Sequence, residues 1–491
     1  MLLIYNLAVI YAKTKLDLHL LTKAANAFEL TPERYASTTI PSLDDWRGLW
    51  AAWDTVTRGM IAEAELGNKP IKLRNACVFY LGHIPTFLDM QLVKATGDPL
   101  CDPQYFPTIF ERGIDPDVDN PEQCHSHSEI PDEWPQLQEI LAHQGRVRRK
   151  VERLYESGEI NRKVGRSVWM GFEHEIMHLE TLLYMLLQSD KTLAPPRTKI
   201  PDFARLARDA DSAAVANQWV TIPEQTIRLG LDDPEDNSGP DRPFGWDNEK
   251  PTRSVTVPSF QAQCRAITNG EYARYLEETG KPVPASWTTI NSTNGNASMN
   301  GSSASYTNDK AVRTVYGSVP LAYALHWPVF ASYDELAGCA KWMGGRIPTV
   351  KEARSIYSHV DRQKKADADG HLGNDGVNNH LVNDGVEESP PTSVSSTGKE
   401  NLGLFADLSG ANVGFVNWHP TAITAHGNRL AGQAEMGGVW EWTSSPLTEH
   451  EGFEPMPLYP LYTADFFDGK HNIVLGGSWA THPRIAGRKT L

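Results

Sequence analysis

"GFEHEIMHLETLLYML", residues 171–186, is an apolar, helix-forming stretch that contains two histidines four positions apart. On an α-helix His174 and His178 lie about 40° apart around the axis, so they present one face that can bind a single metal ion. Residues 174–178 also satisfy H-E-x-x-H, a zinc-peptidase pattern in which the glutamate activates water. The stretch therefore predicts a buried helix with a metal-binding face, and a zinc peptidase is one interpretation of it.

The other ligands of such a metal have to come from elsewhere. Glu180 falls nearly opposite the two histidines and is predicted to be structural, whereas Glu175 is about 60° from them and could reach a bound water. His83, in "YLGHIPTFLDMQL" (residues 80–92), is the best candidate for a third ligand. Three neutral imidazoles leave open positions that suit either zinc with a water or ferrous iron with substrate and dioxygen, and the spacing alone does not choose between them.

Composition limits the class of protein. The 491 residues carry a net charge of −15 and no long basic stripe, which argues against a nucleic-acid partner. Five widely spaced cysteines do not form a disulfide framework and indicate a reducing compartment. The amino-terminal apolar run is shorter than the roughly 20 residues that cross a bilayer. We therefore expect a soluble, cytoplasmic protein with no membrane partner, in which residues 1–42 are an extension.

Residues 43–190 have the apolar periodicity of helices. One stripe has the spacing i, i+3, i+4 and i+7 and consists of Trp46, Leu49, Trp50 and Trp53. The four predicted helical segments are residues 44–66, 74–95, 134–158 and 167–190. Four helices of this length predict a bundle whose core can hold a site made of facing side chains.

The pattern changes after residue 190. Residues 191–218 contain several prolines and are predicted to be a linker. Residues 219–491 contain short β-rich runs separated by Gly, Pro, Asn and Asp, with one helical piece at residues 331–343. A near-duplicate, "HLGNDGV" and "HLVNDGV" within residues 371–386, is expected to lie in a surface loop. This half is predicted to be a loop-rich α+β domain.

Four ordered motifs in this half resemble the formylglycine-generating-enzyme (sulfatase-modifying-factor) family, which has a C-type-lectin-like fold. They are "FGWDNEKPTRSVTVPSF" (244–260), "GGRIPTVKEA" (344–353), "GGVWEWTSSP" (437–446) and "LGGSWATHPR" (475–484). Trp440, Trp442 and Trp479 would fill its core. Formylglycine generation itself needs a reactive cysteine pair near the carboxyl end, and no cysteine follows Cys339, so that activity is not expected.

The whole chain from Leu43 onward resembles the ergothioneine-biosynthesis sulfoxide synthases, and their fungal branch in particular. The additional motifs are "YLGHIPTFLDMQL", "RGIDPDVDNPEQCHSHSEIPDEWP", "HEIMHLETLLYML" and "NVGFVNWHP". The resemblance implies an α+β multidomain protein with a DinB-like four-helix bundle (43–190) followed by the formylglycine-generating-enzyme-like domain (219–491). It implies an Fe(II) enzyme that uses O2 to join hercynine (Nα-trimethylhistidine) to a sulfur donor as a sulfoxide. The donor is cysteine or γ-glutamylcysteine, and the fungal resemblance favours cysteine.

The resemblance also implies residue roles. The iron would lie on His83, His174 and His178. In "LYPLYTADFF" (458–467), Tyr459 would be the catalytic proton donor and Tyr462 its neighbour in the pocket. The remaining substrate-binding candidates are Arg146 and Arg149 for the donor's carboxylate, Trp418 and Tyr462 as aromatic walls for the quaternary ammonium of hercynine, and Met177, which stands where bacterial members have glutamine.

The chain departs from the family at both ends. No glycine-rich nucleotide-binding unit precedes Leu43, so we expect the methyltransferase to be supplied by another chain or lost. The chain stops at "RIAGRKTL" (484–491), where the family continues with an Asn-Trp segment that reaches the hercynine pocket. The domain is therefore expected to be incomplete. An impaired metal- or ligand-binding protein is one alternative, and the H-E-x-x-H peptidase, which leaves the second half unexplained, is the other.

Overall fold

The computed structural model describes residues 28, 30–31, 34–35, 39–72, 74–116, 124–126, 128–236, 242–290, 306–372, 404–423 and 438–490. Most of the predicted amino-terminal extension and the near-duplicate segment after residue 372 lie outside these residues.

All four predicted bundle helices form. The elements of this half are α1 (Leu43–Asp54, continued by a π-helical turn at Thr55–Met60), α2 (Cys77–Thr96), the short α3 (Phe106–Phe110), the strands β1 (Ile114–Pro116) and β2 (Cys124–Ser126), α4 (Leu137–Ser157) and α5 (Arg162–Leu186). Helix α2 packs against both α4 and α5. Its histidine is thus placed beside the helix that carries the other two.

Local sequence explains where these helices begin and end. Ser42 caps α1 in a reciprocal capping box with Asp45, and the apolar stripe of that helix is buried as predicted. Helices α2 and α4 end at Gly97 and Gly158, whose φ angles of 80° and 70° suit glycine in the left-handed region. These signals fix the register of the helices before any tertiary contact is made.

The second half is α+β with short, separate sheets, as predicted. Its strands are β3 (Trp219–Ile222), β4 (Gln225–Leu229), β5 (Arg253–Val257), β6 (Phe260–Gln263), β7 (Trp287–Thr289), β8 (Lys310–Thr314), β9 (Gly317–Pro320), β10 (Val439–Pro446) and β11 (Asn472–Gly477). The antiparallel pairs are β3 with β6, β4 with β5 and β10 with β11, and β7, β8 and β9 form a three-stranded sheet.

Helices are more numerous in this half than expected. They are α6 (Phe203–Ser212), α7 (Asn269–Thr279), α8 (Tyr333–Trp342), α9 (Val350–Leu372), α10 (Leu461–Ala464) and α11 (Pro483–Ala486). Helix α8 was predicted and α6 lies within the predicted linker. The capping box of Thr268 with Glu271 marks the start of α7, and the mutual hydrogen bonds of Thr349 and Glu352 mark that of α9. The S/T-x-x-E signal could have found both.

The two halves share one apolar core. Phe415, Trp418 and Trp479 of the second half belong to the same buried cluster as the bundle helices. Trp479 is buried as predicted, but the prediction was wrong for Trp440 and Trp442, which are only half-buried. Their indole N–H groups donate hydrogen bonds to Glu180 and to the carbonyl of Ala331 at the rim of the core. None of the described helices combines the length and the low polarity that a membrane crossing requires.

Candidate metal centre

His83 on α2 and His174 and His178 on α5 lie together in the bundle core. One ring nitrogen from each can be chosen so that all three atoms lie within 4.8 Å of one another. The ring centroid of His83 lies 5.0 Å from that of His174 and 4.9 Å from that of His178. Ligand atoms bound to one ion at about 2.1 Å are somewhat closer together, so only a small side-chain movement separates this arrangement from coordination.

The orientation of His83 is fixed by a backbone carbonyl. Its Nδ1 lies 2.6 Å from the carbonyl oxygen of Phe110, and because a carbonyl only accepts, Nδ1 must carry the proton. The Nε2 of the neutral ring is then left with its lone pair for a metal. Gly82 makes this contact possible, since a Cβ at that position would lie 2.4 Å from the Phe110 ring.

A second glycine brings α2 and α5 close together. A Cβ on Gly171 would meet Leu88 Cδ1 at 2.4 Å, a distance that real side chains do not adopt. The small residue lets the helix backbones approach where the histidines face each other.

Burial keeps all three imidazoles neutral. Desolvation lowers the pKa of His83 to about 4, despite the opposing effect of the hydrogen bond that its Nδ1 donates to the Phe110 carbonyl. Desolvation and the neighbouring imidazoles hold the pKa values of His174 and His178 well below the ordinary histidine range. Neutral imidazole is the form that binds metals.

The donor set fits a resident metal ion. The Nδ1 atoms of His174 and His178 are buried and have no hydrogen-bond partner among the described residues. Buried polar atoms are normally satisfied, so two orphan nitrogens beside a third imidazole indicate a missing ligand. The role of His83, His174 and His178 as metal ligands nevertheless stays a prediction.

Glu175 does not join this cluster. In the described part of the chain, the group of mutually close metal-ligand atoms contains the three histidines and no carboxylate. Burial raises the pKa of Glu175 to about 8, and the charges that act on it are Arg148 of α4 and Asp54 of α1. Glu175 is therefore not a metal ligand in this arrangement, and its action on a metal-bound water stays a prediction.

Tyr459 lies one aromatic ring away from the histidines. Phe87 of α2 stacks on His174 with ring centroids 3.8 Å apart, and its edge meets Tyr459 with centroids 5.4 Å apart. Phe87 is buried and Tyr459 is half-buried. Phe87 thus separates the ring of Tyr459 from that of His174, and the role of Tyr459 as a proton donor stays a prediction.

Tyr462 and Met177 meet in the same aromatic cluster. The Tyr462 hydroxyl donates towards Met177 Sδ at 3.7 Å, and the Tyr462 ring stacks on Trp246 with centroids 4.2 Å apart. Burial raises the pKa of Tyr462, so its proton is retained at neutral pH. Met177 and Tyr462 therefore contact each other across the two halves, and their substrate-binding roles stay predictions.

The other predicted substrate-binding residues lie further out. Arg149 is exposed on α4, and Arg146 donates through Nε to the carbonyl of Asp102 at 3.0 Å. Trp418 is 8% exposed and packs on Phe415 in the main core, outside the cluster that holds Tyr459 and Tyr462. The substrate-binding roles of Arg146, Arg149 and Trp418 remain predictions. The position of Trp418 is explained by its packing in the main core.

Glu180 connects the histidine helix to the second half, a structural role as predicted. Its carboxylate accepts from Trp440 Nε1 and Thr481 Oγ1, both at 2.7 Å, and from the Ser478 hydroxyl. Burial raises the pKa of Glu180, against the opposing effect of these hydrogen bonds.

Replacing this carboxylate should destabilise the protein. In Glu180→Ala the indole and both hydroxyls lose their acceptor, and we expect a loss of about 3 kcal/mol in the free energy of unfolding, measured by denaturant titration. Glu278→Ala is a matched control, because Glu278 accepts from Trp342 Nε1 at 3.1 Å on the surface, and it should change stability by less than about 0.5 kcal/mol. Equal losses in the two variants would contradict the interpretation.

A family model now places this fold among known proteins. The model of the sulfatase-modifying factor enzyme 1-like domain matches residues 207–489, which is more than half of the chain. The chain therefore belongs to the sulfatase-modifying factor enzyme 1-like family.

Particular relatives confirm the resemblance found in the motifs. The chain is 59% identical to ergothioneine biosynthesis protein 1 of Neurospora crassa over 96% of its own length, and 32% identical to the protein of that name from Schizosaccharomyces pombe over 92%. It is 28% identical over 64% of its length to hercynine oxygenase of Mycobacterium tuberculosis, 65% of which is covered. The chain spans 58% and 53% of the two fungal relatives, somewhat more than half of each.

Three residues around the site escaped the sequence analysis: Phe87, Glu173 and Trp246. Phe87 follows His83 by one helical turn, so its position on the same face of α2 could have been noticed. Glu173 is fully buried. A carboxylate inside an apolar helix is unusual, and the sequence could have drawn attention to it. Nothing local identifies Trp246, because its partners are distant in sequence.

Proposed function

We propose that this chain is an iron- and O2-dependent oxygenase that joins the sulfur of cysteine to the imidazole of hercynine and oxidises that sulfur to a sulfoxide. The observation that carries the proposal is the group of three neutral imidazoles, two of them buried and one half-buried, with a tyrosine of the second half one ring away. Ferrous iron on such a ligand set would supply O2 activation through its open coordination positions. The similarity to ergothioneine biosynthesis proteins and to hercynine oxygenases supports the choice of substrates.

The proposed reaction balances. Hercynine loses a C–H hydrogen and cysteine its S–H hydrogen as the C–S bond forms. One oxygen atom of O2 becomes the sulfoxide oxygen, and the other leaves as water with the two hydrogens. The carbon–sulfur coupling and the sulfur oxidation each provide two electrons, which together reduce O2 by four.

The residues of this chain would bind and orient the two substrates and supply a proton. Tyr459 would hold a transferable proton at its phenol oxygen, and Phe87 would keep water away from the space between that phenol and His174. Met177 and Tyr462 would form part of the hercynine wall, with the ring of Tyr462 available to the quaternary ammonium. Arg146 and Arg149 would attract the carboxylate of the sulfur donor.

We also propose that the helical half is a DinB-like bundle of residues 43–190, joined through residues 191–218 to the family domain of residues 219–491. The helix α6 within that connection packs on the second half near the 3₁₀ turn at Leu321–Tyr323, so the connection is attached to that half along part of its length.

The test is a direct assay. Purified protein loaded with Fe(II) is incubated with hercynine, cysteine and O2, and the sulfoxide is measured by mass spectrometry with γ-glutamylcysteine as a competing donor. We expect the hercynine–cysteine sulfoxide to form and to exceed the γ-glutamyl product. Iron binding without sulfoxide from either donor would overturn the proposal and leave a metal-binding protein. Casein cleavage by the zinc-loaded protein would instead support the peptidase.

A further inference from the structure

A buried carboxylate next to a metal-site histidine collects hydrogen bonds from both halves of the protein. Glu173 of α5 directly precedes His174 and is fully buried. Its oxygens accept from Trp169 Nε1 at 2.6 Å and from Trp246 Nε1 at 2.7 Å. Arg488 also donates to it, at 2.8 and 3.0 Å, and neutralises its charge. A charged group is tolerated in the core only when it has an opposite charge and hydrogen-bond partners.

Of the two indoles, Trp246 reaches the tyrosines. Its ring stacks on Tyr462 with centroids 4.2 Å apart and planes 26° apart. Tyr462 in turn contacts Tyr459 with ring centroids 5.7 Å apart. Trp169 is a helix residue that packs against Trp246 and Phe244 instead.

Besides the ring of Phe87 on Tyr459, two polar contacts attach the edges of the tyrosine segment to the bundle. Lys94 donates to the carbonyl of Leu458 at 3.3 Å, and Arg112 forms an ion pair with Asp465 at 2.7 Å. These partners are partly exposed, and exposed ion pairs contribute little. Tyr462 lies between Leu458 and Asp465 in the segment, and the Trp246 ring on which it stacks is buried.

We infer that Trp246, held by Glu173, is a positioning residue that sets the tyrosine segment (residues 456–467) relative to the histidine helix. Glu173 and His174 are consecutive residues of one rigid helix. The hydrogen bond from Trp246 to Glu173 therefore fixes the Trp246 ring, on which Tyr462 stacks, relative to that helix. This role of Trp246 deepens the proposed function and rests on it, because it concerns the position that Tyr459 would need as a proton donor.

The test compares two variants that lose the same kind of hydrogen bond. Trp246→Phe and Trp169→Phe each remove one indole donor from Glu173, at 2.7 and 2.6 Å, from an equally buried position. In hydrogen–deuterium exchange of the metal-free protein, we expect residues 456–467 to exchange roughly tenfold faster in Trp246→Phe and within about twofold of the parent in Trp169→Phe. Iron stoichiometry should stay at the parent value in both variants.

A purely structural role gives a different result. If both variants lose similar thermal stability and residues 456–467 exchange equally in them, the inference is overturned. Should Trp246→Phe fail to fold, Glu173→Gln serves in its place, because it weakens the same hydrogen bond at nearly constant volume. A parent-like exchange rate in folded Glu173→Gln would then overturn the inference.

The activity readout separates this inference from the proposed function. If the parent makes sulfoxide, Trp246→Phe should lower the ratio of sulfoxide to cysteine sulfinate at least about fivefold, while Trp169→Phe keeps it, since an orientation error of about 1 Å can cost on the order of 100-fold. If the parent makes no sulfoxide, the proposed function fails, and the exchange experiment still decides whether Trp246 positions the segment.

Discussion

His178→Ala should abolish stable iron binding. The variant leaves two imidazoles, from His83 and His174, and opens a water-sized space where the third ligand was. We expect iron per chain, measured after gel filtration, to fall from about one to near zero, corresponding to an affinity loss of more than about 100-fold, since even changes behind the ligands cost 10- to 100-fold. Zinc loading should fall in parallel, because the same three nitrogens would bind either metal.

A second buried histidine is the control for this experiment. His143 of α4 is neutral in the core, where its Nδ1 lies 2.9 Å from the carbonyl of Asp102 and its Nε2 lies 3.3 Å from the Thr86 hydroxyl. His143→Gln should lose some stability and keep its iron. Unchanged iron in His178→Ala, with the fold verified by circular dichroism, would remove the ligand assignment.

The bundle was predictable because its signals are local. The spacing of Trp46, Leu49, Trp50 and Trp53 is a property of consecutive turns, and burial of that stripe follows from the apolar area it would otherwise expose. The facing of His174 and His178 follows from helix geometry in the same way. Periodicity therefore predicted that two of the three imidazoles share a face, and the position of His83 on a second apolar helix of the bundle made it the candidate for the third.

Contacts between distant segments were not predictable in this way. The close approach of Gly171 to Leu88 depends on how α2 and α5 cross, and the sequence of neither helix contains that information. The surroundings of Glu175 were not predictable for a similar reason, because an angle from the histidine face does not say which helix packs against the other side. The guanidinium of Arg148 acts to lower the pKa of Glu175 and the carboxylate of Asp54 acts to raise it, and neither neighbour can be identified from the sequence of α5.

Two carboxylates of the histidine helix form part of the interface between the halves. Helix α5 carries two histidines and, on other faces, Glu173 and Glu180, whose carboxylates bind Trp246, Arg488, Trp440 and Thr481 of the second half. Charged residues inside an apolar helix are costly unless they are paired. The hydrogen bonds from the second half therefore provide the pairing that these two carboxylates need in the core.

Tyr459→Phe should divert the reaction from coupling to simple thiol oxidation. The substitution removes the phenol proton and keeps the ring that packs on Phe87, so iron binding and fold should be retained. A general acid contributes about 100-fold or more to a rate, and we expect sulfoxide formation to fall by about that factor. Cysteine sulfinate, which needs only cysteine and both atoms of O2, should become the main product in the mass spectrum.

Tyr462→Phe is the comparison that makes this result specific. It removes a hydroxyl three residues away and leaves the stack on Trp246 intact, so the position of the segment should not change. We expect its ratio of sulfoxide to sulfinate to stay within about threefold of the parent, because the hydroxyl it loses contacts Met177 Sδ, and a sulfur acceptor makes only a weak hydrogen bond. If Tyr459→Phe keeps the parent ratio, or if Tyr462→Phe loses it to the same extent, the proton at the reacting centre does not come from Tyr459.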